Sequence, residues 1–186
     1  MLPLRLRRTR VASFAGIDWC VDASAILLAV FVLIILVGRY WTGFATLAAY
    51  VLLIVAHEAG HIAFAKIRGF VVKRVTFGGF FGLVETYDPA GRNRLADVGF
   101  IASGGVAAQL LLLVAATAVS FIPGVESYAL LYEASVVLVV YNAFLIAMNL
   151  LPVRPLDGAV IWPALRARRV ARTTQRRRKN GLRLVK

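Results

Sequence analysis

Both histidines of this chain fall in one pentapeptide, His57-Glu58-Ala59-Gly60-His61, set inside Gly43 to Ile67, a run apolar enough to cross a membrane. Such a run has few structures open to it, because backbone polar groups at that depth must be satisfied within a helix or a closed barrel. On a helix the i, i+4 spacing puts both imidazoles on one face, where they can grip a single zinc ion, with Glu58 placed beside it to take a proton from water. Ionisable groups at membrane depth cost about 2.5 to 3.5 kcal/mol each on the mildest scale, so three together call for a compensating partner. A metal ion is the natural one.

The rest of the chain agrees with a membrane setting. Its 186 residues are 60% apolar, with a mean hydropathy of +0.78, which excludes an ordinary soluble domain and leaves length for one compact bundle. Four apolar stretches read as crossings: Ala23 to Val37, Gly43 to Ile67, about Ala96 to Ile122 and about Tyr128 to Leu151, the first short unless the Trp19 region is included. The expected fold is an all-α polytopic membrane protein of about four transmembrane helices, with a basic arm (1–18), a membrane-embedded core (19–165) and a polybasic tail (166–186). The arm resembles the charged start of a signal peptide, but no cleavage site follows before further apolar spans, so it is expected to be retained.

A formal net charge of +13 raises the question of nucleic acid, and the positions of the basic residues answer it. With the N-terminus inside, the arm, the connection from Lys66 to Arg94 and the tail from Arg154 onward carry 21 of the 22 Lys and Arg, leaving Arg39 outside. This is the positive-inside pattern, with both termini cytoplasmic. The ten basic residues from Arg166 to Lys186 read as a solvated segment lying on anionic lipid, and no recognition module accompanies them, so no nucleic-acid partner is expected. The single Cys20 excludes an intrachain disulfide and reads as core filler.

After the histidines, Val71 to Val84 is β-branched, aromatic and broken by Gly78-Gly79, which reads as a short hairpin between the second and third crossings. It either dips beside the site, where protein or a water-filled cavity shields its edge, or lies on the headgroups. The third crossing holds Ser103-Gly104-Gly105 and Ala107-Ala108, small residues that let helices approach closely. Gln109 follows, placed either for an interhelical hydrogen bond or near substrate. In the fourth crossing Asn142 and Asn149 share one face, a polar stripe turned inward. That crossing ends in Asn149-Leu150-Leu151-Pro152-Val153-Arg154-Pro155-Leu156-Asp157-Gly158. The prolines force unwinding, and Asp157 completes the usual two-histidine, one-carboxylate set of a catalytic zinc.

These two separated motifs resemble the site-2 protease family of intramembrane zinc metalloproteases, and Gly78-Gly79 is similar to the strand segment those enzymes place after their metal helix. The resemblance covers roughly Trp19 to Leu165. It implies zinc held by His57, His61 and Asp157, Glu58 as general base, and Asn149 as a contact to the substrate backbone; Gly78, Gly79 and Gln109 are read as further candidate substrate-side positions. The implied substrate is the transmembrane segment of a membrane-tethered protein, and the implied setting is a prokaryotic plasma membrane. Where many members have Gly-Pro and Asn in the third crossing, this chain has Gly104-Gly105 and Ala108, and it reads as the bare catalytic core without a PDZ or CBS domain. The alternatives are an inactive scaffold of the same fold, a zinc-dependent membrane lipid hydrolase, or a transporter.

Overall fold

The computed structural model describes residues 8–36, 40–79, 82–91 and 94–183; the start of the basic arm (1–7), residues 37–39 with the end of the expected first crossing at Val37 and with Arg39, residues 80–81, residues 92–93 and residues 184–186 lie outside them. The described residues open on a hairpin, β1 (Arg8–Phe14) and β2 (Ile17–Asp22), turning at Ala15-Gly16. Both turn residues have positive φ (54° and 74°), the backbone twist that two-residue hairpins favour and that glycine adopts without strain. Then come α1 (Ala23–Leu36), α2 (Tyr40–Ile67), β3 (Val71–Phe77), β4 (Gly82–Tyr87) and α3 (Leu95–Ser120). The last helical run comprises α4 (Ala129–Val136), a π turn (Val137–Tyr141) and α5 (Asn142–Asn149), and α6 (Gly158–Arg183) closes the chain.

Three helices among the described residues are long and apolar enough to cross a membrane: Thr42–Ile67, Leu95–Ser120 and Ala129–Asn149. The expected first crossing is the exception. The described part of α1, 14 residues, extends about 21 Å against a hydrocarbon core of about 30 Å. The Trp19 region cannot lengthen it, because it folds as β2, and Asp22 stops the strand by accepting the N–H of Ser24 at 2.8 Å at the start of α1.

The expectation of helices plus one hairpin also needs correction. The sheet has four strands in the order β1-β2-β3-β4, with β2 parallel to β3 and the other pairs antiparallel. The arm boundary drawn at residue 18 falls inside β2, and β3, bonded on both sides, is interior. The sheet is held to the helices by a cluster of Ile17, Phe70, Val72 and Val75 with Ala65 of α2 and Ile101 of α3. Cys20 is buried, as a core filler should be. Because α1 leaves β2, α2 returns to β3 and α3 leaves β4, all three helices meet the sheet at one end of the bundle.

The polybasic tail is exposed over its first residues, and its backbone is helical as far as Arg183. The helix is anchored near its start, where Ile161 and Ala164 are buried and Gly99 of α3 leaves room for Ala164.

Candidate metal centre

α2 and α3 touch backbone to backbone. A methyl group on Gly60 would run into the carbonyl of Gly104, and one on Gly104 into the carbonyl of Gly60. The small residues of the third crossing therefore serve close packing, as their sizes suggest. This approach brings His57 and His61 over Gly105, where a Cβ would meet both imidazoles at 2.6 Å. Gly105 thus makes the space in which the two rings sit, a role that only the cross-helix contact reveals.

The third donor arrives from the unwound segment after α5. Asp157 immediately precedes α6, and its carbonyl accepts the N–H groups of Val160 and Ile161 at 2.9 Å each, which fixes its backbone and leaves the carboxylate free to turn inward. Its Oδ2 lies 3.3 Å from His57 Nε2 and its Oδ1 lies 3.5 Å from His61 Nε2. The two Nε2 atoms are 3.0 Å apart. One ligand atom from each of the three residues falls within 4.8 Å of the others.

The hydrogen bonds on the far side of each ring show what this convergence is suited to. His61 Nδ1 lies 3.0 Å from the carbonyl of Ile101, and His57 Nδ1 lies 3.0 Å from Gln109 Oε1. Both partners are acceptors, so each Nδ1 carries the hydrogen and, in the neutral ring, each Nε2 presents a lone pair. Two lone pairs and a carboxylate pointed at one spot repel one another unless a cation joins them. Two nitrogens and one oxygen make a fitting donor set for zinc, whose catalytic sites keep a further position open.

Glu58 belongs to the same cavity, of about 360 Å³, bounded by apolar Ile54, Phe144, Leu145 and Met148 and by Asn149, Gln109 and Asp157. It is only 2% exposed, and its Oε2 has no hydrogen-bond partner among the described residues. Gly82, the first residue of β4, abuts it: a Cβ there would collide with the Glu58 carboxyl group. The hairpin therefore lies beside the site. Glycine in a strand often marks such a close approach, the one sequence signal that could have singled out Gly82.

The remaining expected positions divide. Asn149 lines the cavity, and its Nδ2 lies 3.4 Å from Gln109 Oε1. Asn142, fully buried, donates to the Gln109 carbonyl at 2.9 Å, so the inward polar stripe of the fourth crossing exists. Gln109 makes the interhelical bond and also lines the cavity. Gly78 and Gly79 do not line it. They border a separate apolar cavity between α1 and α2, where the Gly79 N–H donates to Ser24 Oγ at 3.1 Å and its carbonyl accepts from the Tyr50 hydroxyl at 2.9 Å. Both backbone groups of Gly79 are thus engaged by α1 and α2 in this structure.

The chain is similar in fold to a site-2 protease from Methanocaldococcus jannaschii, with a TM-score of 0.66 and 22% sequence identity over 87% of this chain and 73% of that one. It therefore has the site-2 protease fold, as the motif resemblance implies. No family model matches the chain, and no curated protein matches its sequence.

Proposed function

We propose that the chain is an intramembrane zinc metalloprotease that hydrolyses a peptide bond within or near the transmembrane segment of a membrane-tethered protein. The observation that carries this reading is the meeting of His57, His61 and Asp157 beside the buried carboxylate of Glu58, in a cavity within helices long enough to span lipid. His57 and His61 would hold zinc through Nε2 and Asp157 through its carboxylate. The chemistry that zinc would supply there is polarisation of the scissile carbonyl and a water pKa lowered toward about 7. Glu58 takes the proton from the attacking water and passes it to the leaving nitrogen as the C–N bond breaks. Asn149, on the cavity wall, hydrogen-bonds the peptide backbone. Incubating the purified protein with a single membrane-spanning peptide tests the reading, because a scaffold, a transporter or a lipid hydrolase leaves the peptide whole.

A substrate helix hides its amides in its own hydrogen bonds and must be drawn out before it can react. The strand able to receive it is β4, since β3 is paired on both sides while β4 ends the sheet and starts at Glu58. Adjacent strand residues direct their N–H groups to opposite sides, so of Leu83→Pro and Val84→Pro one removes an outward donor. That variant is expected to slow cleavage by about tenfold, the cost of roughly one net hydrogen bond, with zinc content unchanged. Wild-type rates in both variants would exclude strand addition at β4.

The sheet end of the bundle faces the cytoplasm in this reading. The basic residues of β1, β3 and the α2 and α3 termini cluster at that end. The basic helix α6 begins beside α3 at the same end and lies against anionic lipid. Cysteines introduced at exposed Thr9 and Thr173 should label only from the cytoplasmic side, and labelling from outside would invert the topology.

A further inference from the structure

We infer that Gln109 is a positioning residue for His57, holding the ring so that its Nε2 faces the other two donors; this rests on the reading of His57, His61 and Asp157 as metal ligands. Gln109 sits on α3 with 2% exposure, where an amide without partners would be costly. Its backbone is fixed by α5, through the bond from Asn142 Nδ2 to its carbonyl at 2.9 Å. Its side-chain oxygen has two donors, His57 Nδ1 at 3.0 Å and Asn149 Nδ2 at 3.4 Å. The two imidazoles are thus oriented by different means. His61 is bonded to the backbone carbonyl of Ile101, an acceptor that no substitution removes, whereas His57 depends on the side-chain oxygen of one residue. The orientation of His57 is consequently the part of the donor set that a single change outside the ligands can release.

The zinc dissociation constant of the full-length protein, measured by competition with a chromophoric chelator, tests this without reference to cleavage. Gln109→Met keeps the length of the side chain and removes the oxygen, and it is expected to weaken zinc by about 10- to 100-fold, as loss of an outer partner to a ligating histidine does. Gln109→Glu retains an acceptor at the same reach and is expected to bind zinc at least as tightly as the wild type, a rescue that a purely packing role would not produce. The thermal midpoint of each metal-free variant reports folding separately. Wild-type zinc affinity in Gln109→Met, or a tenfold loss in folded Gln109→Glu, would overturn the inference, and if Gln109→Met does not fold, Gln109→Glu decides alone. A folded wild type that takes up no zinc would overturn the metal reading, whereas zinc bound equally by wild type and Gln109→Met would overturn only the role of Gln109.

Discussion

Replacing His57 or Asp157 by alanine should lower bound zinc from one ion per chain to less than about a tenth of that, because only two protein ligands remain where catalytic zinc takes three. The structure makes this a test of the site and not of the fold. The hydrogen bonds that hold Asp157 at the start of α6 run from its backbone carbonyl, and the short α2–α3 contact rests on Gly60 and Gly104, so neither side chain is needed to assemble the helices. Metal analysis of folded, purified variants reads the result directly. Unchanged zinc in both would mean that the ion binds elsewhere.

Glu58→Gln should do the opposite to the two observables. Zinc stays near one per chain, since Glu58 is outside the donor set, while cleavage falls by about 10²- to 10⁴-fold, the usual contribution of a general base. Glutamine has the size of the side chain it replaces and fits the space that Gly82 leaves, so the cavity keeps its shape. What is lost is the ability to take a proton from water. A variant that retains zinc and still cuts at close to the wild-type rate would mean that another group activates the water.

Much of the site was legible in the sequence because its chemistry is concentrated in two short segments. The spacing of His57 and His61 is a local property of a helix, and the prolines around Arg154 announce a break that delivers Asp157. Gly82, Gly105 and the Ile101 carbonyl were not legible, since each acts across an interface and has no motif of its own. Gln109 was half legible: a large polar residue in an apolar crossing needs a partner, but the identity of that partner is fixed only by the packing of α2 on α3.

The sheet shows the same division. Val71 to Val84 reads as strand from its β-branched and aromatic residues. β1 is exposed along its whole length, so no buried face imposes an alternation, and its arginines suggest a solvated arm. In β2, Asp18 and Asp22 interrupt the apolar pattern, and its parallel pairing with β3 spans the α1–α2 excursion, which local pattern cannot reveal. The start of α6 carries a helical stripe in Ile161, Ala164 and Leu165, masked by the arginines that follow.

The central claim is that the His57, His61, Asp157 and Glu58 cluster cuts peptide bonds at membrane depth. Mass-spectrometric mapping of the products from a membrane-spanning peptide, incubated with the purified wild type, with Glu58→Gln, and with wild type stripped of zinc by a chelator and then reloaded, tests it most directly. The account predicts a cut within or at the edge of the apolar segment by the wild type, lost in Glu58→Gln, lost on stripping and restored by zinc. Cleavage confined to the soluble flanks, or a cut that survives in Glu58→Gln or without zinc, would contradict it.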